Sequence, residues 1–157
     1  MTLFSEELIF LDYHADNQYD FLEKMSNYLI ENNYVSPTYL EAILTREKKY
    51  PTGLPSEPFP VAIPHGDPEH VIKPCIVVTR PHHPITFGEM GTLDSTVNAK
   101  YIFMLVVKKA DSQITLLQNM IDMFMNEEAM KKLEAANTSN QIMDVLKQYI
   151  HLEKEEA

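Results

Sequence analysis

A chain of 157 residues, 45% apolar and 23% charged, suits one globular domain with a sizeable core and leaves little room for two. Its formal charge of −10 argues against general nucleic-acid binding, which needs Lys and Arg at phosphates, so no nucleic-acid partner is expected. There is no run of about 18 apolar residues to span a membrane, "MTLFSEELIF" has no secretory pattern, and Cys75 has no second cysteine to pair with, so a soluble cytoplasmic protein is expected.

In chain order, "LIFLDY" (Leu8 to Tyr13) has strand length, and Asp16 is placed to cap a helix. Tyr19, Leu22, Met25, Tyr28 and Leu29 follow helical spacing, and Asn32 and Asn33 end the helix. Ser36 and Pro37 open a second helix with Leu40, Ile43 and Leu44 on one side. "YPTGLPSEPFP" holds four prolines and a glycine, so a loop is expected there. "VAI", "CIVVTR" (Cys75 to Arg80) and "YIFMLVV" (Tyr101 to Val107) read as strands, and their near-continuous apolarity implies cover on both faces. Between the last two lies a loop with room for a short hairpin. Asp111 or Ser112 is expected to cap a third helix bearing Ile114, Leu117, Met120, Ile121 and Phe124. A short fourth helix follows Asn126, with Glu127 and Glu128 at its positive end and Lys131 and Lys132 toward its negative end. Thr138 and Gln141 form a capping box for the last helix, after which "HLEKEEA" is expected to fray.

The predicted order is β-α-α-β-β-β-α-α-α, an α/β (α+β) three-layer sandwich of a small mixed sheet with helices on both faces. One domain is expected over residues 1–157, with its ordered core at about 8–150.

The charge is unevenly spread: residues 1–44 carry −7, residues 45–110 carry +2 and residues 111–157 carry −5. The mildly basic middle favours a local anion site. It contains "VAIPHGDPEH", where a strand runs into Pro64, His65 and Gly66. Pro64 stiffens the approach, and Gly66 leaves space beside the imidazole. Such a histidine can be a turn residue, a metal ligand or a nucleophile. His65 and His70 are separated by Pro68 at neither a helical nor a zinc-type spacing, and His82 and His83 sit together between prolines, so no metal is expected. No G-x-S-x-G elbow and no Walker or dinucleotide glycine pattern is present.

"LTREKKYPTGL" (Leu44 to Leu54), followed closely by "VAIPHGD", resembles the paired signature of enzyme IIA of the fructose–mannitol class. These are phosphocarrier domains of the bacterial phosphoenolpyruvate-dependent sugar phosphotransferase system. The resemblance covers roughly Leu8 to Ile150. It implies that His65 accepts a phosphoryl group from the phosphohistidine of HPr and passes it to a cysteine of enzyme IIB. That partner in turn serves sugar entering through the membrane component IIC. Arg46, in the matching "REK", is implied to lie near the phosphohistidine and stabilise its charge. Thr52 and Gly53 are expected to add a hydroxyl and a close backbone amide at the phosphate, with Gly66 beside them. No cofactor is implied, because the donor is a protein phosphohistidine and not a nucleotide.

Mannitol- and fructose-type members carry a second histidine after the last long strand, where this chain has Gln113. Glutamine can hydrogen-bond a phosphoryl group without carrying charge, and this segment looks more like galactitol-type members. A regulatory IIA-like protein is the alternative, and an anion-binding module without phosphoryl chemistry is a third reading. Asp67 and Glu69 read as solvated loop acids, and Cys75 as a small packed side chain.

Overall fold

The computed structural model describes residues 3–150, so the "HLEKEEA" tail lies outside the described residues. Within them, seven strands and five α-helices follow in the order β1 (Ile9–Tyr13), α1 (Gln18–Glu31), α2 (Tyr39–Lys49), β2 (Gly53–Leu54), β3 (Val61–Ala62), β4 (Cys75–Pro81), β5 (Ile85–Gly88), β6 (Thr96–Ala99), β7 (Tyr101–Val106), α3 (Ala110–Phe124), α4 (Glu127–Ala135) and α5 (Ser139–Tyr149). The main sheet is five-stranded in the order β1-β4-β7-β3-β2, and β5 and β6 form a separate hairpin. It is mixed: β1 and β4 are parallel, β4 and β7 antiparallel, β7 and β3 parallel, β3 and β2 antiparallel.

Strand alternation explains why "YIFMLV" has no polar side. Tyr101, Phe103 and Leu105 pack on one face with α3, α4 and α5, through residues such as Leu116, Met120, Met130 and Leu146. Ile102, Met104 and Val106 point the other way, onto Phe21, Leu22, Met25, Leu29, Tyr39 and Ile43 of α1 and α2. A strand covered on both faces must be apolar at every position. The three-layer α/β sandwich is what the sequence predicts.

One part of the predicted order needs correction. The proline-rich segment contains β2, which is only two residues long and carries no readable period. The short hairpin for which the sequence left room after β4 is β5–β6, whose inward Ile85, Phe87, Val97 and Ala99 join the core beside α1 and α2.

Helix starts also differ. Asn17, not Asp16, caps α1, accepting from the Tyr19 and Asp20 amides at 3.0 and 2.9 Å. Ser36 and Pro37 form a turn before α2, where the Ser36 carbonyl accepts from the Tyr39 amide at 3.0 Å. Helix α3 starts at Ala110, ahead of Asp111 and Ser112, because the short link from β7 leads straight into it. Its stripe is also rotated: Leu116, Met120, Met123 and Phe124 are buried, whereas Ile114 is 57% exposed. Asn126 and Thr138 cap α4 and α5 as expected, with Gln141 reaching back to the Asn137 amide at 2.6 Å.

Candidate functional site

His65 lies just beyond the end of β3, where the chain still runs beside β7. The Leu105 amide donates to the Pro64 carbonyl at 3.0 Å, and His65 and Leu105 form an isolated parallel bridge. Pro64 has no amide to lose there, so it extends the strand without an orphan donor. The imidazole is 7% exposed.

Two contacts fix its tautomer. His65 Nδ1 lies 2.9 Å from the Ile63 carbonyl, which can only accept, so Nδ1 carries the proton. The Arg46 Nη2 lies 3.5 Å from His65 Nε2, and guanidinium can only donate, so Nε2 presents its lone pair. Burial lowers the pKa of the ring below 6.5, and the Arg46 charge lowers it further, against the opposing effects of the Ile63 carbonyl and Asp67. At neutral pH the ring is therefore a neutral base with one oriented nitrogen.

Arg46 comes from the last turns of α2. Its Nη1 donates to Asp67 Oδ1 at 3.0 Å, and its guanidinium lies 5.7 Å from the Tyr50 ring centre. Its Nε is buried without a hydrogen-bond partner among the described residues. Asp67 is thus an ion-pair partner as well as an exposed loop acid. Beside Arg46 is a depression of ≈ 430 Å³ lined by Thr45, Lys49, Tyr50, Asp67 and His70 among others.

Thr52 does not take its expected place. Thr52 is 2% exposed, and its amide and hydroxyl donate to the two oxygens of Glu47, each at 2.8 Å. Both donors are engaged, which leaves Thr52 nothing to offer a phosphate. Gly53 is required by packing, since a Cβ there would lie 2.6 Å from the Gly88 carbonyl oxygen. Gly66 is packed against the Tyr39 ring, where a Cβ would come within 3.1 Å of Cε1. Gln113, on the first turn of α3, does reach the site: its Nε2 donates to the Gly66 carbonyl at 2.9 Å.

Glu47 is the residue that sequence reading missed. It is 4% exposed, and burial raises its pKa to about 7 against the opposing pull of Thr52 and Arg46. The helical spacing of Tyr39, Ile43 and Glu47 places an acid on the buried face of α2, which was the available signal. Through Thr52, Glu47 reaches the histidine. The Thr52 carbonyl accepts from the Ile63 amide at 3.1 Å, and the Ile63 carbonyl holds the His65 ring.

Asp67, Glu69 and His70 have ligand atoms close enough to share a cation, but Asp67 is paired with Arg46 and His70 Nδ1 with Thr38 Oγ1 at 2.7 Å. Cys75 is buried, and burial pushes its thiol up to about 12, as suits a packed side chain. Among the described residues, no helix is long and apolar enough to cross a membrane.

Comparisons with known proteins place the family and the fold. The galactitol-specific EIIA component of Escherichia coli strain K12 is 28% identical over 97 residues, 62% of this chain and 64% of that protein. The chain thus aligns to just under two-thirds of that relative's length. The mannitol-specific EIICBA component of Vibrio cholerae is 28% identical over 144 residues, 90% of this chain but 21% of that protein. In structure, the chain resembles the complex of mannitol enzyme IIA with phosphorylated enzyme IIB from E. coli, with a TM-score of 0.74, 23% identity and coverage of 92% and 97%. It is equally similar in fold to the nitrogen regulatory protein IIA-Ntr of Neisseria meningitidis, with a TM-score of 0.75, 22% identity and coverage of 92% and 96%. The family described as "Phosphoenolpyruvate-dependent sugar phosphotransferase system, EIIA 2" matches residues 2–149, and the chain belongs to that family.

Proposed function

We propose that the protein is a cytoplasmic phosphocarrier that takes a phosphoryl group from phospho-HPr on His65 Nε2. It then gives the group to a cysteine of enzyme IIB, serving galactitol-like sugar uptake through IIC. The observation that carries this reading is the neutral His65 ring, with its proton held on Nδ1 and its Nε2 lone pair beside Arg46.

In the first transfer, the Nε2 lone pair forms the new N–P bond as the bond to the donor histidine breaks. The leaving electron pair returns to the donor ring. In the second, a thiolate of the partner attacks phosphorus, and the pair from the broken Nε2–P bond returns to His65. The transition state is loose and anionic, so positioning and positive charge do most of the work. Arg46 supplies that charge through Nη2 and its unpartnered Nε, while Asp67 keeps the guanidinium in place. Gln113 uses one amide hydrogen on Gly66 and has a second for a phosphoryl oxygen. The partners dock on the surface around His65, where Ile114 and Tyr50 are 57% and 56% exposed.

Similarity to the transcriptional regulator ManR of Bacillus subtilis, 28% identical over 108 residues and 69% of this chain, favours a second reading. On it, the phosphorylation state of His65 modulates another protein instead of feeding a transporter.

The test is to incubate the protein with phosphoenolpyruvate, enzyme I and HPr, then add a cognate IIB. The expected product is one acid-labile, base-stable phosphate per chain that passes to the IIB cysteine. Labelling without transfer to any IIB would support the regulatory role. Phosphate that survives acid would overturn both readings.

A further inference from the structure

At the opposite end of the sheet from His65, a second group of histidines converges on one carboxylate. Strand β3 leads to His65 and runs parallel to β7, whereas β1 and β4 are parallel to each other and β4 is antiparallel to β7. The far ends of β1 and β4 therefore lie away from the phosphocarrier site. Asp12 and His14 come from the first of these ends, His82 and His83 from the second.

The geometry of this cluster is specific. Asp12, His14 and His82 each offer a ligand atom within 4.8 Å of the other two. His82 Nδ1 is hydrogen-bonded to Asp12 Oδ1, and His14 Nε2 lies 3.9 Å from Asp12 Oδ2. The His14 and His82 rings stack with centroids 4.4 Å apart, and His83 meets His82 edge-on at the same separation. The backbone supports the arrangement. The pairing of β1 with β4 shifts between Leu11 and Tyr13, and Asp12 takes the left-handed conformation with φ of 53°. That bulge turns the carboxylate toward His82, whose amide donates to the Tyr13 carbonyl at 2.7 Å.

We infer that Asp12, His14 and His82 form a binding site for a divalent transition cation of the zinc class. Two imidazoles and a carboxylate match the ligand preference of that class, whereas magnesium and calcium prefer oxygen alone. In a tetrahedral site ligand atoms lie about 3.4 Å apart, a spacing that rotation of these exposed side chains, whose ligand atoms all lie within 4.8 Å of one another, can reach. Three protein ligands leave a fourth position for water. Nearby cations are held by other acceptors: Arg80 bonds the Ala136 carbonyl, Lys100 pairs with Glu134 at 3.1 Å, and Lys24 pairs with Asp20 at 3.1 Å and donates to the His14 backbone carbonyl at 3.3 Å, away from the His14 ring nitrogens. Sequence spacing hid the site because Asp12 and His82 are 70 residues apart.

The test is titration of the full chain with zinc chloride by calorimetry, with cobalt(II) absorption as a second readout. The expected result is one saturable zinc ion per chain. His14→Ala and His82→Ala should each weaken binding tenfold or more, and the double variant should abolish it. Asp12→Asn, which keeps a residue tolerant of positive φ, should also weaken binding. His70→Ala should leave the affinity unchanged, and none of the Asp12, His14 or His82 variants should alter phosphoryl acceptance. Absence of saturable uptake would overturn the site. So would zinc binding that persists in the double variant or disappears in His70→Ala.

Discussion

The two ends of the sheet carry histidines in opposite circumstances. At the β3–β7 end, His65 is 7% exposed, with one nitrogen given to a backbone carbonyl and the other facing a guanidinium. At the β1–β4 end, the side chains of His14 and His82 are 70% and 43% exposed around an acid. The same side chain is a buried ring locked by two contacts in the first setting and an exposed ring beside an acid in the second. What separates them is burial and the sign of the neighbouring charge, not the residue type.

Substitution of the two histidines should separate these roles most sharply. His65→Ala should fold and accept no label from phospho-HPr, whereas His82→Ala should be labelled like the parent chain. Radiolabel transfer followed by gel analysis measures both. Label persisting in His65→Ala would erase the contrast.

Next in size is the guanidinium. Removing a charged hydrogen-bond donor costs about 1.5–3 kcal/mol, so Arg46→Ala should slow transfer roughly tenfold or more without unfolding the protein. Arg46→Lys should recover only part of the rate, because it lacks the planar fork. Rapid-quench rates in both directions would show this, and unchanged rates would reduce Arg46 to a surface charge.

The support beneath His65 should appear in stability. Glu47→Ala strands two buried donors of Thr52, at a cost of about 2 kcal/mol or more. For a chain of this size that lowers Tm by about 4 °C or more. Gly53→Ala should cost about 1–3 kcal/mol by overpacking against Gly88 and Val97. Thermal melts read both, and His82→Ala supplies the contrast with an exposed position.

The smallest effects are slopes with pH, and here the two buried groups act in opposite directions. Glu47 has a folded pKa raised to about 7, so its stabilising contribution is complete below the usual 4.5 and is lost as pH rises through about 7. His65 has a folded pKa below the usual 6.5, so its contribution is present above 6.5 and is lost as pH falls through the folded value. Glu47→Gln should remove the first slope and His65→Ala the second, as read from denaturant midpoints between pH 4 and 8. A shared slope in both variants would show that neither group is its source.

Much of this was legible in the sequence, for reasons that differ by element. The α1, α4 and α5 patterns, the buried run of β7 and the caps at Asn126 and Thr138 are local signals, and local signals are readable. Strand β2 was not, because two residues between prolines have no period and gain their structure from β3. The start of α3 was set by its short link to β7 instead of by a capping side chain. His65 and Arg46 stood out through paired motifs. Thr52 was assigned a ligand that the structure replaces with Glu47, since a buried carboxylate partner cannot be seen from a turn sequence. Asp67 looked like solvent-facing charge because its partner is 21 residues away.

The hydrogen-bonded line from Glu47 through Thr52 and Ile63 to His65 ties the two motifs together within one structural unit. A histidine grafted with its proline and glycine alone would arrive with a ring free to turn over and to take phosphate on either nitrogen. On the proposed mechanism, the choice of nitrogen is set by the Ile63 carbonyl, which the Glu47–Thr52 contacts help to hold in place. Any exchange of active-site segments between relatives would have to carry both motifs across together.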